Sequence, residues 1–434
     1  MLNRFHRLKR IVFVLAGVTT ILISTIYFYA WYRQNEAYRA WTECCDPVDS
    51  IPARFPKRKS NTSTLKLEEL ASKLGVELAP RNILHRSRPS MAQETLFAEI
   101  KGPLYDFVVT KLERPDDYVD APPKELSAFI VLHSKEISDL RKHILSNETP
   151  EWDLDLEVEP DAIPIPNLIG HTRLQMILTL DILEKTRKGE NKEALETLET
   201  SWRIIQGLRN RPELICQTIA AEISRYPIGV IRKMKDVPLD WQTRFSENDY
   251  EKSISTAMEA DVWYFMHLAN HSDTRKVFKA PTAYMPWIIV RPYMRLSAAD
   301  YADKTRQALL DLGKQDLCAL DEKTFLRTYR LAWWNRDLSN SHVWLAWERL
   351  SRLQLEMEFT RIILHLKSFV STNGTWPTKL LSTNSSVCSS ARWIYQISPD
   401  SLSVSLNNGF QPQVGKGTLL SLTYTIYYNN PIQR

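Results

Sequence analysis

The sequence predicts a mainly α-helical protein: an N-terminal transmembrane helix, an antiparallel helical bundle and a small β-strand cap at the C-terminal end. Three observations carry that prediction. An uncharged apolar run fills residues 11–32, apolar residues recur at helical spacing through most of the remainder, and alternation is confined to the region after Trp393.

The run Ile11–Tyr32 holds 22 consecutive residues without a charge. At 1.5 Å per residue such a helix covers about 33 Å, against a hydrocarbon core of roughly 30 Å. Arg4, Arg7, Lys9 and Arg10 precede it, and Tyr27, Phe28, Tyr29, Trp31 and Tyr32 crowd its far end as an interfacial aromatic belt does. A cleaved secretory signal also begins with positive charge, but its apolar region spans about 7–15 residues and ends in small residues. This run is longer and ends in Tyr-Ala-Trp-Tyr-Arg. Positive charge stays on the cytoplasmic side. Residues 1–10 are therefore expected inside an inner (cytoplasmic) membrane crossed once, with the bulk of the chain periplasmic or otherwise extracytoplasmic. Arg33 and Arg39 beyond the span are offset by Glu36 and Glu43.

The formal net charge is +5, and the first ten residues supply four of it, so the remainder carries +1. A nucleic-acid binder needs a concentrated cationic footprint. Nucleic acid is thus not an expected partner, whereas the membrane is. The basic run Arg54–Lys59 reads as a solvated linker or a membrane-surface contact.

The expected organisation is a cytoplasmic basic N-terminus (1–10), the transmembrane helix (11–32), a tether (33–63), a helical domain (64–372) and a small β-containing C-terminal region (373–434). Pro47, Pro52 and Pro56 among Ser, Asn and Thr mark the tether. The clearest helical block follows Pro164. Ile165, Ile169, Met176, Leu180 and Leu183 form one stripe, and Gly189-Glu190-Asn191 breaks it, with Asn191 as candidate N-cap. Leu195, Leu198, Trp202, Ile205 and Leu208 form the next, ended by Asn210-Arg211-Pro212, with Pro212 suited to a first helical turn. Ile215, Ile219, Ile223, Tyr226 and Val230 line a third, with a kink expected at Pro227. Short breaks between amphipathic helices imply antiparallel neighbours. Further helices are expected near 64–78, 90–113 (interrupted at Gly102-Pro103), 123–147, 247–271, 293–313, 321–333 and 340–372. Trp393–Ile397, Leu402–Leu406 and Leu419–Tyr428 read as strands. The Leu195 region is similar to a tetratricopeptide helix pair, but no fixed period recurs elsewhere.

No motif carries chemistry by itself. His267 and His271 stand four apart on one helical face, yet a zincin needs Glu directly after the first His and Leu268 stands there. Glu151, Asp153, Asp155, Glu157, Glu159 and Asp161 alternate with Trp152, Leu154, Leu156 and Val158. A calcium loop would need an internal glycine. The strip reads as an extended segment with its apolar face on the helices and its acids in water. The five cysteines, Cys44, Cys45, Cys216, Cys318 and Cys388, have no CxxC spacing, which disfavours structural zinc and thioredoxin-like chemistry. Cys216 and Cys318 read as packed thiols. No G-x-S-x-G elbow, P-loop or G-x-G-x-x-G is present, and Gly415-Lys416-Gly417 is a lone turn. Trp333-Trp334, Trp344 and Trp347 read as core or interface anchors. No catalytic residue, metal or cofactor is expected.

Ile165-Pro-Asn-Leu-Ile-Gly through Met234, Val290-Arg-Pro-Tyr-Met, and the helix ending at His365–Leu380 resemble a group of uncharacterised bacterial membrane-anchored helical proteins. That resemblance implies no activity. Leu366 through Leu380, with Gly374-Thr-Trp376-Pro377, is also similar to the helix-to-sheet junction of type II secretion pseudopilins. The N-terminus lacks a prepilin processing site, and Ser382–Ser390 replaces the usual Pro-x-Asp-Pro turn. The expected function is a non-enzymatic helical interaction module at the bacterial cell envelope with an envelope protein as partner. The alternatives are an envelope hydrolase acting on peptides or glycans, its site assembled from distant residues, and a pseudopilin-like secretion accessory.

Overall fold

The computed structural model describes residues 2–45, 47–158, 162–238, 240–247, 249–271, 287–312, 322–332, 335, 341–380, 383–388, 391–407 and 422–427. Helix α1 (Leu2–Thr42) is, among the described residues, the one helix long and apolar enough to cross a membrane. It outlasts the uncharged run by ten residues. A 3-10 turn (Val48–Ser50) and the short α2 (Ile51–Arg54) follow.

Helices α3, α4 and α7 each begin where a side chain satisfies an orphaned amide. The Asn61 carbonyl accepts the Thr64 amide at 2.9 Å and starts α3 (Thr62–Lys73). Ser90 and Gln93 form a reciprocal capping box at α4 (Met91–Glu113). That helix runs through Gly102-Pro103 instead of breaking there, since Ile100, Leu104 and Phe107 keep it packed. The expected helix over 123–147 is two, α5 (Lys124–Leu132) and α6 (Ser134–Ser146), parted at His133. Asn167 caps α7 (Leu168–Lys188), which closes on Gly189 at φ 79°, a left-handed conformation that only glycine adopts freely. The cap of α8 (Asn191–Arg209) is Glu190, so Asn191 is its first helical residue. α9 (Leu214–Ile231) begins after Pro212 and continues past Pro227. α10 (Asp240–Glu247), α11 (Tyr250–His271), α12 (Trp287–Leu312), α13 (Glu322–Thr328) and α14 (Ser341–Asn373) complete the helices.

Helices α7, α8 and α9 pack on one another, and α9 packs along α14. Their apolar faces share one core that includes Leu178, Leu198, Ile228, Leu350 and Leu353. A second core joins α1 to α11 and α12 through Ala37, Trp41, Val262, Ala298 and Ala302. Along α1, Ile23, Tyr27, Ala30, Gln34, Ala37 and Trp41 are covered at spacings of three and four, whereas residues 11–20 are exposed all round.

Strands β1 (Arg392–Ile397), β2 (Ser401–Asn407) and β3 (Thr423–Tyr427) form an antiparallel sheet in sequence order. Its inner face, Trp393, Leu402, Val404 and Tyr424, covers Phe359, Ile363 and Leu366 of α14. Trp393 stacks on Phe359 at 5.3 Å and donates to Glu358 at 2.8 Å.

The segment expected as a tether lies against the body. Arg58 and Leu154 exchange backbone hydrogen bonds at 2.9 Å, and the Asn61 amide donates to the Glu151 carbonyl. Trp152, Leu154 and Leu156 are buried on the other face of that segment. Under Trp152 sits His171, fully buried, its ring edge-on at 4.7 Å and neither ring nitrogen hydrogen-bonded. Burial, aided by the Arg211 charge, pushes its pKa down to about 3. A depressed imidazole gives stability that is present above the unfolded value near 6.5 and lost as pH falls toward 3. Denaturation between pH 6.5 and 5, above the range of ordinary solvated carboxylates, should show a slope of up to about 1.4 kcal/mol per pH unit from His171. His133, lowered by its own burial, adds in the same direction. His171→Phe should flatten most of that slope, and an unchanged slope would refute the assignment.

Candidate functional site

A cleft of about 280 Å³ opens between the segment after Leu156, the start of α9, the middle of α11 and the start of α14. Leu156, Ile163 and Ile165 form one wall, with Leu214 and Ile215 opposite and Leu345 at the rim. Ile215 and Leu345 are exposed large apolar residues. The fold puts them there because α9 and α14 turn their other faces to the core.

Polar groups gather at one end. Tyr301 of α12 is fully buried, its hydroxyl donates to Asp261 of α11, and its oxygen lies 2.9 Å from Nε2 of His342 at the start of α14. The His342 Nε2 to Asp261 Oδ2 distance is 3.4 Å. A phenol has one proton, and here it is donated in the hydrogen bond to Asp261. In its neutral form the imidazole then carries its hydrogen on Nε2 and donates to the tyrosine oxygen, which leaves Nδ1 as the acceptor. Burial first, then the Asp261 charge and hydrogen bond, raise the Tyr301 pKa well above its usual value, so the phenol stays protonated. Phe265 packs on the Tyr301 ring at 4.6 Å.

Two other polar lining groups are already engaged. Glu213 is held by Arg211, and the Thr218 hydroxyl donates to the Leu214 carbonyl at 2.6 Å. No serine or cysteine lines the cleft among the described residues. The arrangement suits an apolar ligand group with one polar or cationic tip meeting Asp261 and His342.

The residues singled out by sequence lie elsewhere. His267 stacks on Trp263 at 4.9 Å, and the side chain of His271 lies outside the described residues. Of the acids in the 151–157 strip, Glu157 is exposed as expected, whereas the other three meet cations. Asp153 pairs with Arg86 at 2.7 Å and accepts from Ser60, Asp155 pairs with Lys57 at 2.5 Å, and Glu151 faces Arg58 at 3.9 Å. Burial works against the Asp153 charge, but Ser60 and Arg86 outweigh it and hold the carboxyl below its usual value. Arg86 also grips the buried Glu68 at 2.6 Å. Lys57, Arg58 and Arg86 thus offset the charges of Asp155, Glu151 and Asp153 within the fold. Glu159, Asp161, Cys318, Trp333, Trp334 and the Gly415–Gly417 turn lie outside the described residues. Cys216 is a buried free thiol whose pKa burial raises. Cys44 and Cys45 are free, with sulfurs 2.7 Å apart, and Cys388 is disulfide-bonded. Trp344 and Trp347 pack around Phe325 at 5.2 and 6.3 Å.

No family profile, no curated protein and no solved structure matches this chain. The cleft therefore rests on its own geometry. Asp261, Tyr301 and His342 come from three helices and are forty residues or more apart, so no local spacing announces them.

Proposed function

We propose that the chain is a single-pass membrane protein, anchored by residues 11–32 with its N-terminus cytoplasmic. Its extracytoplasmic body is a non-enzymatic interaction module at the bacterial cell envelope, with α7–α9 packed as an antiparallel bundle. The cleft of that module receives an apolar side chain or segment of an envelope partner. The observation that carries this reading is the open cleft walled mainly by Leu156, Ile163, Ile165, Leu214, Ile215 and Leu345, with no serine or cysteine on its described lining.

Two features support the anchor and its orientation. Ala37 and Trp41, on the same unbroken helix as the apolar run, are buried in the α11–α12 core, so cleavage after the run would strip that core. The disulfide at Cys388 fits an oxidising compartment.

One experiment tests location and cleft together. Leu345→Cys is placed in a Cys44→Ser, Cys45→Ser background and labelled on spheroplasts with a membrane-impermeant, thiol-reactive photo-crosslinker. Labelling and capture of an envelope protein are expected, and Ile215→Glu should cut capture about tenfold by placing a charge at the rim. Labelling only after the membrane is opened overturns the topology. Labelling without capture, or capture indifferent to Ile215→Glu, overturns the cleft as an interaction site.

The convergence of Asp261, Tyr301 and His342 supports a second reading, an envelope hydrolase in which His342 Nδ1 takes a proton from water. Turnover of envelope peptides or glycans that falls about a hundredfold in His342→Ala would favour it.

A further inference from the structure

A second cleft, of about 390 Å³, opens where α1 leaves its apolar run. Trp31, Gln34 and Tyr38 of α1 line it with Trp263 and His267 of α11 and Arg295 of α12. α12 runs beside α1 in the same direction, because Arg295 is electrostatically coupled to Tyr27 and Arg33 pairs with Asp303 at 3.1 Å. Tyr27 precedes Tyr32 by five residues, which places Arg295 roughly 8 Å inside the end of the run. That is the level of the aromatic belt, within side-chain reach of the bilayer phosphates. Arg291, one turn earlier on α12, lies about 6 Å deeper.

The cleft is chemically incomplete. Among the described residues neither Arg291 nor Arg295 has a carboxylate partner, and Nε of each is buried without a hydrogen-bond acceptor. Among the described residues, Arg291 donates to the Asn270 carbonyl alone, at 3.3 Å. Gln34 is 6% exposed, lines the cleft, and has no acceptor for Nε2. The one carboxylate on the lining, Asp49, accepts from the Tyr38 hydroxyl at 2.7 Å. An unpaired guanidinium and an unpaired amide at a bilayer edge are costly unless an anion meets them.

We propose that this cleft binds the phosphodiester of a membrane phospholipid, with Arg295 and the Gln34 amide as donors. Trp31 and Trp263 give the headgroup apolar walls. The proposal rests on the reading of residues 11–32 as an anchor.

The test uses the full chain reconstituted with phosphatidylglycerol, followed by vesicle flotation and native mass spectrometry of retained lipid. Wild type should float and retain phosphatidylglycerol, but not a phosphate-free glycolipid. Arg295→Gln combined with Gln34→Leu should still float while retention falls about tenfold, the loss expected for a charge-assisted hydrogen bond. Arg295→Lys, which keeps the charge, should recover part of it, and an intact helical circular dichroism signal shows that the variants fold. Wild type that fails to float sinks the anchor reading. Flotation with equal retention in wild type and double variant, equal retention of the glycolipid, or displacement by millimolar inorganic phosphate sinks the lipid site alone.

Discussion

Replacing Arg211 by Ala is expected to cost about 3–5 kcal/mol, the range for removing one partner of a buried ion pair. Arg211 is 1% exposed. It grips Glu213 through Nε and Nη2, while Nη1 and Nη2 donate to the carbonyls of Asp153 and Pro164. The substitution would strand a carboxylate and two carbonyls inside the protein. By contrast, Glu69 with Lys66 and Lys73 is solvated, and such pairs contribute about 0–1 kcal/mol. Arg211→Lys should rescue little, since an ammonium cannot span four acceptors with the geometry of a guanidinium. Urea denaturation in detergent micelles measures both, and a loss below about 1 kcal/mol for Arg211→Ala would show that solvent reaches the site. Because the same guanidinium ties the segment carrying Leu156, Ile163 and Ile165 to the start of α9, this variant should also lose capture at the apolar cleft.

Gly170→Ala is expected to lose about 3 kcal/mol, the upper end for an overpacked site. An added Cβ would stand 1.8 Å from the Glu77 carbonyl oxygen and 2.8 Å from its carbon. Backbone atoms cannot rotate away as a side-chain tip can. The approach is tight because the Asn167 amide donates to the Leu78 carbonyl at 2.9 Å, pinning the first turn of α7 to that strand of backbone. Gly102→Ala is the matched control. Nothing lies within 4 Å of its Cβ position, and a helical glycine replaced by alanine should gain about 0.5–1 kcal/mol. Thermal scans that give the two variants the same sign would contradict the packing described at Gly170.

Neither effect could be read from the chain, although much of the helical layout could. The breaks at Gly189 and after Asn210 separate α7, α8 and α9 because left-handed glycine and proline act within a few residues. Boundaries failed where tertiary contacts overruled such signals. α4 passes through Pro103 because its apolar neighbours are packed on both sides of the missing amide. The 123–147 pattern gave no warning of the break at His133. The acidic strip had the right alternation, with Trp152, Leu154 and Leu156 buried, but its outer face met Lys57, Arg58 and Arg86 where water was expected. Pairing of two runs some ninety residues apart leaves no local trace.

The sequence by itself determined the apolar run, the concentration of net charge in its first ten residues, the predominance of helix and the small sheet at the end. Those properties depend on spacing within one or two turns or on composition. Only the tertiary structure decided that α1 continues into the body, that Tyr301 bridges Asp261 and His342, and that Arg291 and Arg295 lack an acid beside them. Each of these is set by which helix faces which, and that choice is made by packing between residues far apart in the chain.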